Sequence, residues 1–127
     1  MDESAKTPPA NEPDEITSDY ANNVALEQTV WDLKLIFGEY SNRSGAVEWH
    51  TSITMPWAQA KLLSHYLRAN VAVWEINHGP VAIPEAMIPQ PLVPLTPEQA
   101  RDPKQKAVFE TIKALQDRFI KDLPKKP

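Results

Sequence analysis

The chain has 127 residues, with 13 prolines against 3 glycines, no cysteine and a net charge of −4. That length bounds one small domain with appendages, and the acidic balance argues against a phosphate-tracking surface, because affinity for nucleic acid rests on clustered Lys and Arg. Without cysteine there are no disulfides, no thiolate nucleophiles and no cysteine-held zinc.

Residues 1–18 form an acidic, proline-containing stretch with almost nothing to bury, and they are expected to be a disordered tail. Asp2 and Glu3 open it and no apolar core follows, so it does not read as a secretory signal. No apolar run approaches membrane-spanning length. A cytoplasmic protein with no membrane partner and no nucleic-acid partner is therefore expected.

From Tyr20 the pattern alternates. Val24 and Leu26 share one face of a first strand over 22–28, and Leu33, Leu35 and Phe37 share one face of a second over 31–40. A third, over 47–55, sets Val47, Trp49, Thr51, Ile53 and Met55 against Glu48, His50, Ser52 and Thr54. Period two is the mark of strands with one buried face. The links are short, and Ser41-Asn42-Arg43-Ser44-Gly45 is a polar turn cluster, so an antiparallel meander is expected. The other face is not plainly hydrophilic, since Ile36 and Tyr40 lie on it and Gly38 leaves a flat spot.

Pro56 to Gly79 reads as one long helix, free of internal proline and glycine and rich in Ala, Leu, Arg and Lys. Proline is tolerated in the first turn, and Gly79-Pro80 is a stop signal. At 100° per residue the polar sector is Lys61, Ser64, His65, Arg68 and Glu75. Two apolar stripes occupy the rest: Leu62, Tyr66, Ala69, Val73 and Ile76, and Ala60, Leu63, Leu67, Val71 and Trp74. Gln59, Asn70 and Asn77 run between them. One stripe suffices to cover a small sheet. Two imply a second partner, either the chain's own C-terminal arm or another subunit. The helix is expected to cross the sheet and bury Leu33, Leu35, Phe37, Trp49 and Ile53.

Residues 81–102 are apolar yet repeatedly broken by proline, which predicts an extended arm lying on a surface rather than a free linker. Pro91-Leu92-Val93-Pro94 matches a PxxP ligand pattern, but no Arg or Lys stands near to orient it. Residues 103–127 then read as an amphipathic helix to about Leu123 and a short basic tail. Asp102 is its cap, Pro103 its first residue, and Gln105 reaches back. Val108, Ile112, Leu115 and Phe119 form its stripe. The whole is an α+β fold: a three-stranded antiparallel meander and one long helix (βββα, 19–80), then the arm and a C-terminal helix.

Tyr20-Ala21-Asn22, the strand Asp32-Leu33-Lys34-Leu35-Ile36-Phe37, and Ala60-Lys61, Leu63, Leu67, Asn70-Val71, Trp74-Glu75 and His78-Gly79 carry a resemblance. Over about half the chain, Tyr20 to Val81, they look like the small prokaryotic family called domain of unknown function 3467. Pro56-Trp57 stands where that family has Thr-Pro at the helix start. The family is uncharacterised, so the resemblance implies the strand-strand-strand-helix order and no activity.

His50, His65 and His78 are scattered, with no HxxxH or HxH pair, so no metal and no other cofactor is expected. Carboxylate pairs such as Glu48 with Glu75 lack the cleft that acid–base chemistry needs. There is no Gly-rich phosphate loop and no nucleophile elbow, so no catalytic residue is assigned and the chain does not read as an enzyme. It reads as a self-associating interaction module, a homodimer through helix stripe or sheet edge that can dock another protein. The residues expected at interfaces are Trp31, Trp57, Leu62, Tyr66, Asn70, Val73 and Ile76, with Val108, Ile112, Leu115 and Phe119. The alternative is a holdase chaperone for unfolded chains, by loose fold analogy with the export chaperone SecB.

Overall fold

A computed structural model describes residues 16–125. Most of the expected tail, residues 1–15, and the last two residues of the basic C-terminus lie outside the described residues. The elements are β1 (Asn23–Gln28), β2 (Asp32–Ser41), β3 (Ala46–Pro56), α1 (Trp57–His78), a 3₁₀ turn (Glu85–Met87), α2 (Pro97–Ala100) and α3 (Pro103–Lys121). This is the expected α+β order of meander, long helix and C-terminal helix. Two compact units divide the chain, Met1–His65 and Tyr66–Pro127, with the boundary inside α1.

In the first unit the strands pair antiparallel in the order β1-β2-β3. Gly45 closes the second hairpin with a φ of 70°, a left-handed conformation that a Cβ would strain, and its N–H donates to Ser41 O at 2.8 Å. Thr29 ties the first hairpin. Its Oγ1 accepts from the N–H of Trp31 and Asp32, and its own N–H donates to Asp32 O.

The third strand departs from the expected alternation. Phe37 pairs with Thr51 but Gly38 pairs with Trp49, so His50 is an extra residue without a partner, a β-bulge. Directly paired residues share a face. Leu33, Leu35 and Phe37 therefore stand with Met55, Ile53 and Thr51, and with Leu26 and Val24 of β1. Beyond the bulge the parity inverts, and Trp49 and Val47 move to the face of Ile36, Gly38 and Tyr40. There Trp49 lies over the flat spot: a Cβ on Gly38 would sit 2.7 Å from Trp49 Cε3 and 2.8 Å from Val47 Cγ1. The Trp49 expected beneath the helix is thus on the other side of the sheet.

The expected burial by the helix also fails at Ile53, which is 51% exposed, and Leu33 and Phe37 are only half-buried. Leu35, at 9%, is the one large apolar residue buried among the described residues. Pro56 still pairs with Asp32 and Trp57 already begins α1, so the strand passes into the helix with no turn between them.

In the second unit α1 ends as read, with Gly79 at a φ of 92° and its N–H donating to Glu75 O. The Glu75 carboxylate accepts from Val81 N–H at 2.8 Å and fastens the start of the arm. The arm, expected to be extended, is interrupted by the 3₁₀ turn and by α2. Thr96 caps α2 with a reciprocal Gln99 contact and Pro97 in the first turn, a capping box that was legible as Thr-Pro-Glu-Gln. Gln116 Nε2 donates to Gln90 O at 2.7 Å and holds the arm to α3.

Candidate interaction surfaces

The candidate residues on α1 follow from its two-stripe pattern. Leu62, Tyr66, Val73 and Ile76 are all exposed, Ile76 at 83%. Asn70 between the stripes satisfies its amide within the helix, donating to Tyr66 O four residues back at 2.8 Å. None of α1's 22 residues is buried.

The other stripe has a neighbour in the second unit. Leu67 and Val71 share a cleft of about 550 Å³ with Val81 and Ile83 of the arm and Leu115, Phe119 and Leu123 of α3. Its lining also includes Arg68, Glu75, Arg118 and Asp122, two charges of each sign. The arm and the C-terminal helix flank the stripe here but do not cover it, since Leu67 stays 56% exposed and Val71 49%. Leu115 and Phe119 line this cleft, and all four residues of the α3 stripe, Val108, Ile112, Leu115 and Phe119, are exposed. Near the helix end Trp74 and His78 stack with ring centroids 4.6 Å apart, and His78 Nδ1 lies 3.1 Å from Trp74 O at the negative end of the helix.

The two candidate tryptophans separate. Trp57, 39% exposed, donates its indole N–H to Thr29 O at 2.9 Å and braces the first hairpin. Trp31 sits at the tip of that hairpin and is 83% exposed. The bond of Trp57 was not legible, because Thr29 is 28 residues away.

His50 was read as an outward-facing strand residue. The bulge instead turns it to the side of Thr51, where its Nδ1 lies 2.7 Å from Thr51 Oγ1 and 3.0 Å from Asp19 Oδ2. Its Nε2 lies 3.0 Å from Tyr20 O, and Thr51 Oγ1 donates to Asp19 at 3.4 Å. These contacts pin the segment before β1 onto the sheet. Asn22 continues the clasp, accepting from Tyr40 N–H on its side chain and donating its own N–H to Gly38 O. Both ring nitrogens of His50 and the hydroxyl of Thr51 are engaged in these contacts within the chain.

Among the described residues no three His, Asp or Glu side chains converge on a point that would hold a metal ion. N–H donation from Lys104, then from the Gln105 side chain and backbone, holds the Asp102 carboxyl below the ordinary 3.8. That is a cap, fully exposed, and not a reactive acid. No protein-family model matches the chain, and no curated protein and no solved structure matches it either.

Proposed function

We propose that the chain is a non-enzymatic assembly module whose folded state is completed by a second copy of itself, and that the same surfaces serve to dock it on a larger complex. One observation carries the reading: Leu35 and Gly38 are the only buried positions among the described residues. Ordering a residue's backbone costs roughly 1–2 kcal/mol, and the main offset is apolar burial at about 1.5–3 kcal/mol per large side chain. One buried leucine does not offset the ordering of three strands and two long helices. The exposed stripe Leu62–Tyr66–Val73–Ile76 supplies four such side chains to a partner.

A second copy is present whenever the chain is made, and two-fold homodimers are the commonest oligomers. A net charge of −4 opposes that pairing only weakly. Kinship with domain of unknown function 3467 is part of the same proposal and rests on the sequence motifs from Tyr20 to Val81 alone. We place the module in the cytoplasm as part of the same proposal; no described helix is long and apolar enough to cross a membrane. Light scattering over a dilution series is the test. A mass of twice 14.3 kDa at micromolar chain is expected, and a monomer that keeps its circular dichroism at every concentration overturns the reading.

The cleft of the second unit, lined by apolar and by charged side chains, favours one second reading, a holdase that receives unfolded segments. A holdase binds an apolar dye while folded and suppresses aggregation of unrelated clients. A closed assembly does neither once its dimer has formed.

A further inference from the structure

The geometry points to the outer edge of β3 as the seam between two copies, joined antiparallel into one six-stranded sheet. The inference rests on the self-association proposed above and names the surface that performs it.

β3 is the third strand in the order β1-β2-β3, so only one of its edges is paired. Among the described residues, the backbone groups of Val47–Met55 that face away from β2 meet no hydrogen-bond partner. Natural edges are blunted by lysine, by internal proline, by shortness or by a covering element. Over its 11 residues β3 has no Lys or Arg, proline only at its last position and one charge, Glu48. Among the described residues the guards are the bulge at His50 and the Asp19–Tyr20 segment bound to His50 and Thr51, and the pairing with β2 is regular from Thr51 to Met55. β1, the opposite edge, is 6 residues long.

The regular stretch is complementary to itself. With the two-fold axis at Ile53, that residue meets the partner's Ile53, and Thr51 meets the partner's Met55, all on the face of Leu35. Thr51, Ile53 and Thr54 are β-branched and suit a paired strand. Glu48 lies five residues from the axis, so the two copies of this carboxylate stand roughly 33 Å apart at about 3.3 Å per residue. No like charges oppose each other along the seam. Pairing β3 with β3 is isologous and closed, and it consumes the long edges, leaving two short β1 edges outermost. Pairing β3 with β1 would be head-to-tail and would run on without end. A second copy in the closed arrangement is therefore the occupant.

The absence of cysteine makes the test direct. In the full chain Ile53→Cys provides the only thiol, and a short bismaleimide is expected to join two chains in high yield. Val24→Cys, on the same face of β1 and equally exposed, is expected to stay uncoupled. Ile53→Lys, a charge set into the seam, is expected to weaken the dimer at least tenfold in a light-scattering dilution series with the circular dichroism unchanged, while Val24→Lys leaves the mass alone. If Ile53→Lys does not fold, the crosslinking pair decides. A wild-type dimer whose Ile53→Cys crosslinks no better than Val24→Cys overturns the seam and leaves self-association standing. A wild-type monomer overturns both, and a mass that climbs without limit overturns the closed pairing in favour of the head-to-tail one.

Discussion

Gly38 shows how one missing side chain sets the packing of a sheet. Trp49 and Val47 occupy the space its Cβ would need, and Glu48 O lies at 2.8 Å from that point. Because backbone as well as side chain crowds the site, relaxation is not cheap. Gly38→Ala is expected to cost about 1–3 kcal/mol, as for other overpacked positions, read as a lower denaturant midpoint with an unchanged slope. An unaltered midpoint would show that Trp49 can leave its place freely. Asp102 gives the other residue-scale test. Its carboxyl is held below 3.8 by donors that exist only in the folded helix start, so its contribution is fully present above that value. It is lost as pH falls through the lower, folded value. Far-UV circular dichroism is expected to show α3 fraying only in that acid window, and Asp102→Ala is expected to show the frayed signal already at neutral pH. The flat spot at Gly38 was legible, but what fills it was not, because the filler arrives through a bulge at His50 that no proline or glycine marks.

Elements with a local cause are where the sequence and the structure agree. The strands start and stop within one residue of the expected limits because period two and a polar turn cluster are properties of neighbours. The ends of α1 and α3 likewise follow from Gly79 and Asp102, and α2 from a capping box that was present but was passed over among the prolines of the arm. What fails is the face assignment in β3. Alternation over 47–55 is unbroken in sequence, yet a single unpaired residue, His50, exchanges Trp49 and Val47 between faces. Nothing in the residue types announces it, since the bulge is fixed by the register against β2 and by the polar clasp to Asp19 and Tyr20.

At the scale of the whole molecule, the two-stripe helix carries the argument for assembly. Leu67 and Val71 line a cleft with the arm and α3, and both stripes are exposed. The light-scattering series tests that surplus at this scale, because a contiguous exposed apolar patch marks a surface that a partner covers. The sequence by itself determined the order of strands and helices, their limits, the terminal signals of α1 and α3, and the excess of apolar faces over partners, since each of these rests on residues close together in the chain. Only the tertiary structure decided which stripe lines a cleft with the arm and α3, which face Trp49 takes, and that Ile53 is half exposed. The cleft joins residues far apart in the chain and the face of Trp49 turns on one bulge, and neither leaves a periodic trace in the sequence.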